Sequence, residues 1–496
     1  MKIKQLLCPL DLAEELQLPD LEISGLAIDS RCVIPGNLFI CLQGNQFDGH
    51  QFIQQAIDRG ATAILTEKGV HSFDRVPVLR TFSTKIAYSL LAQQWTHQSW
   101  KKMRQIAVTG TTGKTTLAWF IYQLLNALGE KCGFIGTAGY FAGEKELPVK
   151  LQGPLTTPMP GELHNLYQSM LANECKSVAM EASSFGIAEK RLYGMQLDTA
   201  LLTNLSFNHH VAYHGSWMEY VKAKKELFYM VHEKGSIVLN ADDSCVEKFI
   251  LPEKKLYLYG KSEQSDVRID KICHKIDCIE VTLSYKGNHW HINAPFQGDY
   301  QAWNLAATFC AGLSMGYDPG LLTEKMKHIK GAPGRWEVLL SSRPFTVVID
   351  KANTPVAFQS IKRMINKNPY AKKIAVFGNF GGGDHKEQCM LAKLIEETYD
   401  LLILTLDDPG EENIEQNFNT FMSFFSDAFK PCIKKVASRM KALESSLQLA
   451  QKNDLIVVLG RGNQKDFFFK NKKIPFNDVE IMKSLLEERG LLHCEN

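Results

Sequence analysis

Short apolar runs that end at glycine or a polar residue recur along the whole chain and predict its strands. The run at 38–42 and a helix-like stretch at 51–59 are separated by turns, as in a small α/β unit. A run at 105–108 precedes a Gly/Thr turn and a helix predicted over about 114–128. Strand candidates at 177–180, 199–202 and 237–239 alternate with helices, so we expect a largely parallel sheet.

A last group of apolar runs begins near residue 339. Four of them read as parallel strands that break directly into Asp, Gly or Asn: 347–349, 374–377, 401–404 and 455–459. Ligands bind at such carboxyl strand ends in open α/β sheets, so this part is expected to carry a site. Because 496 residues exceed what one core serves, we predict three domains, at 1–99, 100–338 and 339–496.

Composition narrows the class of protein. With 45% hydrophobic residues and 56 basic against 54 acidic side chains, the chain is an ordinary globular protein with a net charge of +2. That balance argues against a nucleic-acid binder. No run approaches the roughly 18 apolar residues of a membrane span, and the start does not resemble a secretory signal. We therefore expect a cytoplasmic protein without nucleic-acid or membrane partners, acting as a monomer.

The turn before the predicted helix has the composition of a phosphate loop. It reads Thr-Gly-Thr-Thr-Gly-Lys-Thr-Thr at 109–116 and lies between a strand and a helix. Gly110 and Gly113 let backbone N–H groups close around phosphate oxygens, and Lys114 supplies a point charge. Thr115 is placed to bind Mg²⁺. The expected ATP-binding set also includes Thr111, Thr112 and Thr116. Val108 stands where the longer loop has glycine, so this is the short GxxGKT form.

Further motifs follow in one order: Asp-Ser-Arg-Cys-Val-Ile-Pro-Gly-Asn-Leu-Phe at 29–39, Gly-Thr-Ala-Gly-Tyr at 136–140, Thr-Thr-Pro at 156–158, Met-Glu-Ala-Ser-Ser at 180–184, Thr-Asn-Leu-Ser at 203–206, Glu-Tyr-Val-Lys-Ala-Lys at 219–224 and Asn-Ala-Asp at 240–242. In these motifs the chain resembles the MurE-type Mur ligases. These enzymes use ATP to add an amino acid to the D-Glu carboxylate of UDP-MurNAc-L-Ala-D-Glu through an acyl-phosphate, in peptidoglycan synthesis. The resemblance implies a UDP-substrate-binding first domain, a central P-loop sheet that binds ATP, and a C-terminal Rossmann-like domain that binds the amino acid.

The resemblance also implies roles for individual residues, with ATP and Mg²⁺ as cofactors. Lys114, Glu181, His209 and Lys224 would be catalytic, and Thr115, Glu181, His209 and a carbamylated Lys224 would bind metal. Asn304, Arg335 and Asp350 would complete the ATP site. His210 and His214 remain alternatives to His209, because the segment differs from the family in Asn208 and in spacing. Lys224 could instead be a solvated helix lysine like Lys222 and Lys225.

The residues that contact the acceptor in the family are only partly matched in this chain. The matching positions for the UDP-linked acceptor are Ser30, Asn45, Gln46, Thr156, Thr157, Ser183 and Arg191, although Asn45 and Gln46 could serve the turn alone. Glu189 stands where the family has Gln, which could weaken an acceptor hydrogen bond or repel an anionic substrate.

The last block departs most from the family. The family's D-Y-A-H-T-P is Asp-Lys-Ala-Asn-Thr-Pro at 350–355, and Gly383 and Gln388 replace arginines. The expected amino-acid site is Asp407, Asp408, Gly460 and Gln464. In the diaminopimelate enzymes an arginine at 410 would pair with the distal carboxylate, and Gly410 cannot. Neutral Gln464 also replaces a Glu, so we expect a donor other than meso-diaminopimelate.

Three functional hypotheses follow. The first is MurE-like synthesis with another amino acid. The second is a diverged ligase that uses another carboxylate acceptor in secondary metabolism. The third is a non-catalytic, nucleotide-binding paralogue. The intact loop, Glu181 and Lys224 favour catalysis, and the preserved first block favours a UDP-linked acceptor.

Overall fold

The structure is a computed structural model in which residues 1–10, 12, 20–44, 48–69, 76–148, 155–207, 210–274, 278–341, 344–379, 385–407, 413–469 and 472–492 are described. Within these ranges the strands form three larger sheets and one hairpin, and helices connect many of the strands. The α/β class is therefore confirmed. No helix in the described part of the chain combines the length and the apolarity that crossing a bilayer would require.

The first sheet has four parallel strands in chain order. They are β1 Gly25–Ala27, β2 Asn37–Ile40, β3 Ala63–Thr66 and β4 Val78–Arg80, with helices α1 Ile3–Leu7, α2 Ile53–Asp58 and α3 Thr84–Trp95. Alternate residues of a strand face opposite sides of a sheet. Accordingly Leu38 and Ile40 pack in the cluster that contains α1 and α3, and Phe39 packs on the side of α2.

The second sheet contains eleven strands in the described residues, in the order β15-β14-β13-β12-β11-β10-β5-β9-β6-β7-β8. The strands from β6 across to β13 are parallel, and antiparallel strands flank them on both sides. Their bounds are β5 Arg104–Thr109, β6 Cys132–Gly136, β7 Gly139–Ala142, β8 Lys145–Glu146, β9 Ser177–Glu181, β10 Leu197–Leu202, β11 Val231–Asn240, β12 Lys255–Gly260, β13 Val267–His274, β14 Ile279–Tyr285 and β15 Asn288–Ala294. The helices are α4 Lys114–Ala127, α5 Pro160–Ala172, α6 Ser184–Ala188, α7 His210–Tyr213, α8 Trp217–Tyr229, α9 Tyr300–Ser314 and α10 Pro319–Met326. The predicted parallel sheet is confirmed.

The register of this sheet places three strand ends side by side. Strand β5 lies between β9 and β10, with Val108 opposite Glu181 and Thr109 opposite Leu202. The loop after β5, the carboxylate that ends β9 and the segment after β10 therefore meet at one edge. The hydrophobic cores on the two faces of the sheet support this edge from both sides.

The third sheet follows the order β16-β17-β21-β18-β19-β20, antiparallel only between β16 and β17. The strands are β16 Glu337–Leu340, β17 Thr346–Asp350, β18 Lys373–Asn379, β19 Leu401–Leu406, β20 Ile433–Lys435 and β21 Leu455–Leu459, and the hairpin is β22 Asp466–Phe469 with β23 Lys472–Pro475. The helices are α11 Pro355–Ile365, α12 His385–Glu396, α13 Ile414–Met422, α14 Arg439–Leu449 and α15 Asp478–Glu488. All four strands predicted in this block are present and parallel. The sheet begins at Glu337, just ahead of the boundary expected at 339, and the exact boundaries of the domains remain our proposal.

Candidate functional site

The loop between β5 and α4 has a backbone that only glycine can supply at its first turn. Gly110 has a φ of +145°, and a Cβ there would collide with Thr203 Oγ1. Gly113, at φ +82°, precedes α4 directly. Because α4 begins at Lys114, the free N–H groups and the positive end of the helix dipole face the loop. The loop therefore has the form of an anion site.

The segment after β10 braces this loop. Thr203 Oγ1 donates to the Thr112 carbonyl at 2.6 Å, and Thr111 N donates to the Asn204 carbonyl at 2.8 Å. Asn204 Oδ1 accepts hydrogen bonds from both N and Oγ1 of Thr112, each at 3.1 Å. These bonds fix the loop in place before any ligand binds, which reduces the ordering cost of binding.

Two lysine amines share one acceptor in the loop. Lys114 Nζ and Lys224 Nζ donate to the Gly110 carbonyl at 2.9 Å and 2.7 Å. Burial lowers the pKa of Lys114 to about 8. Burial, followed by the charge of Lys114, lowers the pKa of Lys224 well below its ordinary value. Both shifts favour the neutral form of these amines relative to an exposed lysine.

The alternative interpretation of Lys224 as a solvated helix lysine is wrong. Lys224 is only 1% exposed. By contrast, the Lys222 side chain on the same helix is 69% exposed, and its Nζ lies 3.7 Å from Glu219 Oε2. The Lys224 ammonium position lies 4.7 Å from the centre of the Tyr220 ring. Tyr220 in turn shares a 3.0 Å hydrogen bond with Thr111, so helix α8 holds both the loop and Lys224.

Glu181, at the end of β9, lies against the first turn of α4. Its Oε2 accepts a hydrogen bond from Thr115 Oγ1 at 3.0 Å, and its Oε1 accepts one from Thr137 N at 2.7 Å. Arg335 Nη2 reaches the same Thr115 hydroxyl at 3.2 Å. Adjacent carboxylate and hydroxyl oxygens suit Mg²⁺, which prefers oxygen ligands and completes its shell with phosphate oxygens and water. Within the described ranges no three His, Cys, Asp or Glu side chains could bind a metal by themselves.

A cleft of about 880 Å³ opens between this edge and the third sheet. The loop residues Thr111–Thr116, Thr156 and Glu181 line one side, and Arg335, Asp350, Lys351 and residues 352–357 line the other. Burial, followed by the charge of Arg335, lowers the pKa of Lys351 to about 8. Burial raises the pKa of Asp350, whose carboxylate accepts hydrogen bonds from Trp336 N and Ala352 N at 2.6 Å and 2.7 Å. The surplus of cations favours an anionic ligand.

The structure describes some, but not all, of the remaining residues of the expected nucleotide and metal sites. Asn304, buried on α9, has its Oδ1 3.6 Å from the position of a Cβ at Gly113, so it adjoins the loop. Thr116 is buried in the first turn of α4. His209 and the His210 side chain lie outside the described residues. Burial, followed by the charge of Lys224, lowers the pKa of His214.

Three of the expected acceptor residues, Thr157, Ser183 and Arg191, form a connected group beside the cleft. Thr157 Oγ1 donates to the Glu181 carbonyl at 3.0 Å and lies 3.2 Å from Ser183 Oγ. Arg191 Nη1 donates to the Thr157 carbonyl at 2.6 Å, and its guanidinium lies 4.9 Å from the Phe185 ring centre. In the first block, Ser30 Oγ donates to Gln55 at 2.7 Å. Asn45 and Gln46 lie outside the described residues.

Three residues of the expected amino-acid site are described, Asp407, Gly460 and Gln464, and none of these three lines the cleft. Asp407 is fully buried in a 2.7 Å ion pair with Arg461, and Gly460, at φ +107°, lies against the Asp407 carboxylate. Gln464 Oε1 is buried and has no hydrogen-bond partner among the described residues. Asp408, Gly383 and Gly410 lie outside them. The burial of Asp407 fits a structural ion pair better than a donor contact.

Sequence reasoning missed several residues that build the site. Thr137 and Thr203 hold Glu181 and the loop, Tyr220 packs under Lys224, and Lys351 lines the cleft. The motifs at 136–140 and 203–206 contain Thr137 and Thr203, but the sequence did not indicate what either residue contacts. Nothing in the sequence pointed to Lys351, which stood out only as a replaced aromatic residue.

Comparison with known proteins identifies the family. The chain is 32% identical over 471 residues to the UDP-N-acetylmuramoyl-L-alanyl-D-glutamate--2,6-diaminopimelate ligase of Aquifex aeolicus, covering 95% of each chain. The chain belongs to the Mur ligase family. Family models of the Mur ligase catalytic domain, middle domain and glutamate ligase domain match residues 22–88, 108–312 and 334–462. It is also 30% identical over 483 residues to the UDP-N-acetylmuramyl-tripeptide synthetase of Borreliella afzelii, covering 94% of each.

Solved Mur ligase structures share the fold of the whole chain. A structure titled as a UDP-N-acetylmuramoyl-L-alanyl-D-glutamate--2,6-diaminopimelate ligase superposes with a TM-score of 0.65 at 24% identity, covering 99% of both chains. The MurF ligase of Thermotoga maritima in complex with ADP gives a TM-score of 0.61 at 19% identity, covering 95% of this chain and all of that one. The three-domain Mur ligase architecture is thus confirmed. As a Mur ligase, the chain is an ATP-dependent, ADP-forming ligase of peptidoglycan synthesis.

Proposed function

We propose that this Mur ligase joins an amino acid to the D-Glu carboxylate of UDP-MurNAc-L-Ala-D-Glu. The names of the relatives from Aquifex aeolicus and Borreliella afzelii support this acceptor and a tripeptide product. The observation that carries the proposal is the meeting of Lys114, Glu181 and Lys224 at one loop, beside a cation-rich cleft.

The reaction has two bond-making steps. An oxygen of the acceptor carboxylate attacks the γ-phosphorus of ATP, ADP leaves, and an acyl-phosphate forms. The amine of the amino acid then attacks the acyl carbon, the bond from that carbon to the bridging oxygen breaks, phosphate leaves with this former carboxylate oxygen, and the amine proton is lost to solvent. The products are one amide, ADP and inorganic phosphate. Such chemistry depends on positioning and on neutralisation of charge rather than on a protein nucleophile.

Different residues of the cleft would position the substrates and neutralise their charge. Lys114 and the loop N–H groups would hold the β- and γ-phosphates, and Arg335 and Lys351 would face them from the third sheet. Thr115 and Glu181 would hold Mg²⁺, which supplies positive charge at the phosphate oxygens when bound. Thr157, Ser183 and Arg191 would bind the anionic acceptor beside them.

Lys224 would act as a carbamate. The neutral amine that burial favours can attack CO₂, forming an N–C bond as one C=O π bond of CO₂ breaks; loss of one N–H proton then leaves a carbamate with a charge of −1, where a protonated lysine would carry +1. An anion near the nucleotide metals helps to hold them, whereas an ammonium would repel them. The depressed pKa and the neighbouring Lys114 support this proposal.

The relatives and the chain's own residues point to different donors. The name of the Aquifex aeolicus relative gives 2,6-diaminopimelate, so the comparisons lend no support to the expectation against that donor. Gly410 and Gln464 favour a donor with a single carboxylate, because an unpaired carboxylate in a buried site loses several kcal/mol. We therefore propose an amino-acid donor with a single carboxylate, which a direct comparison of donors will test.

The test is a screen of the purified protein with ATP, Mg²⁺ and UDP-MurNAc-L-Ala-D-Glu against single amino acids, including meso-diaminopimelate, L-lysine and L-ornithine. We expect one ADP per product and a product mass equal to acceptor plus amino acid minus water. A higher kcat/KM for meso-diaminopimelate than for every other donor would overturn the donor proposal. Nucleotide binding without ADP release in any reaction would favour the non-catalytic paralogue. Turnover only with a different carboxylate acceptor would favour the diverged ligase.

A further inference from the structure

Helix α3 of the first block runs along the segment that carries Arg191. Three of its polar side chains, four residues apart, each contact that segment: Lys85 pairs with Glu189, Ser89 donates to the Lys190 carbonyl, and Gln93 donates to the Tyr193 carbonyl. Residues at this spacing lie on one face of a helix. The face is therefore fitted to the segment 189–193.

The ion pair at the start of this face is well formed. Lys85 Nζ lies 2.9 Å from both carboxylate oxygens of Glu189, and Tyr213 OH donates to Glu189 Oε1 at 2.8 Å. The two charged side chains are 33% and 22% exposed, so their charges are only partly screened by solvent. Ser83 caps α3, and Glu67 accepts from Thr84 N at 2.9 Å, so the helix start that carries Lys85 is fixed.

Arg191 needs this arrangement if it is to bind an anion. Its guanidinium is largely buried, and its Nε has no hydrogen-bond partner among the described residues. Burial lowers the pKa of Arg191, and the charge of Glu189 is the largest effect in the opposite direction. An uncompensated Glu189 would compete with an anionic acceptor for that guanidinium and would repel the acceptor itself. With Lys85 in place, the group of Lys85, Glu189 and Arg191 carries a net positive charge.

We propose that Lys85 is a positioning residue for the acceptor: it neutralises Glu189 from across the boundary between the first two blocks and leaves Arg191 available to an anionic acceptor. The inference rests on the proposed function, because it takes the acceptor to be an anion bound beside Thr157 and Arg191. It also answers the concern raised by a glutamate at 189. The carboxylate is tolerated because a lysine from another sheet pairs with it.

The experiment compares Lys85→Met with the double variant Lys85→Met/Glu189→Gln in the acceptor-dependent release of ADP. Removal of one partner from a partly buried pair leaves the other charge uncompensated, so Lys85→Met should raise the acceptor KM about tenfold. The KM for ATP should not change, because the pair does not contact the phosphate loop. Removal of the negative charge as well should return the acceptor KM to within about threefold of the wild-type value.

Lys190→Met is the matched control. Lys190 is also a half-buried lysine in the same segment, but it pairs with Glu226 at 2.6 Å. Its loss should leave the acceptor KM within about twofold of wild type. Lys85→Arg keeps the positive charge, so its acceptor KM should also stay within about twofold of wild type. Thermal unfolding of each variant verifies that it folds.

Two results would overturn the inference while the wild type remains active. One is an unchanged acceptor KM in Lys85→Met. The other is a double variant as impaired as Lys85→Met, which would make Lys85 a purely structural residue. A wild-type protein that releases no ADP with this acceptor would instead refute the proposed function, so the two failures can be told apart.

Discussion

Replacement of Lys224 by alanine tests the carbamate most directly. Because Lys224 is buried and donates to Gly110 at 2.7 Å, its terminal group lies at the backbone of the phosphate loop. Two opposite unit charges about 4 Å apart at an effective dielectric constant of about 20 interact by about 4 kcal/mol. That energy corresponds to roughly a thousandfold in rate, so we expect Lys224→Ala to lower kcat by about 10²- to 10³-fold.

The assay is steady-state release of ADP, with nucleotide binding measured separately by calorimetry. Lys224→Ala should still fold and bind nucleotide, since Lys114 and the loop remain. Millimolar formate or acetate should restore part of the lost activity by occupying the vacated anion position. Removal of dissolved CO₂ should slow the wild-type protein, and added bicarbonate should reverse this loss.

Lys222→Ala is the control, because Lys222 lies two positions away on α8 and points into solvent. It should keep wild-type activity and show no response to formate. Near-normal turnover by Lys224→Ala would refute the carbamate, and impairment of Lys222→Ala instead would assign the role to the other lysine. If neither substitution has an effect, the non-catalytic hypothesis gains support.

Three further substitutions test the loop and the cleft. Lys114→Ala should lower kcat/KM by about 10²-fold or more, and wild-type turnover in a folded variant would exclude the loop from the reaction. Lys351, with a pKa of about 8, is partly neutral at pH 8.5, and a bound triphosphate should raise that pKa. Nucleotide binding at pH 8.5 should therefore take up protons, which calorimetry in two buffers of different ionisation enthalpy can measure. Lys351→Met should reduce this proton uptake. Equal uptake in the variant and the wild type would contradict this role. Gly110→Ala should lower the unfolding free energy by roughly 1–3 kcal/mol more than Gly129→Ala, because both glycines have positive φ but only the first Cβ would collide with Thr203. Equal losses in chemical denaturation would refute the collision.

Local patterns in the sequence predicted the elements that depend on neighbouring residues. The loop at 109–116 and the four parallel strands of the third sheet were predicted because strand, turn and helix signals lie within a few residues of one another. The burial of Lys224 could also have been predicted. Tyr220, Lys224 and Phe228 are four residues apart and share the buried face of α8.

The contacts that complete the site join residues distant in sequence. Lys85 and Glu189 are separated by 104 positions and belong to different sheets, so no periodicity relates them. Asp407 matched a donor-site motif, but its pairing with Arg461 in the interior depends on the sheet order, in which only β18 lies between β19 and β21. A substitution pattern shows that a side chain has changed, whereas only the fold shows which partner replaces the lost contact.

The hydroxyl of Thr115 serves two parts of the molecule at once. It bonds to Glu181 in the central sheet and accepts from Arg335, which lies just before the third sheet. With Thr115 in its proposed role at the nucleotide's Mg²⁺, nucleotide affinity and the position of the third sheet would be thermodynamically linked. Any substitution that moves Arg335 away from the loop weakens nucleotide binding by the same factor by which bound nucleotide opposes that movement. A nucleotide titration of such a variant thus measures the coupling free energy between nucleotide binding and the position of Arg335.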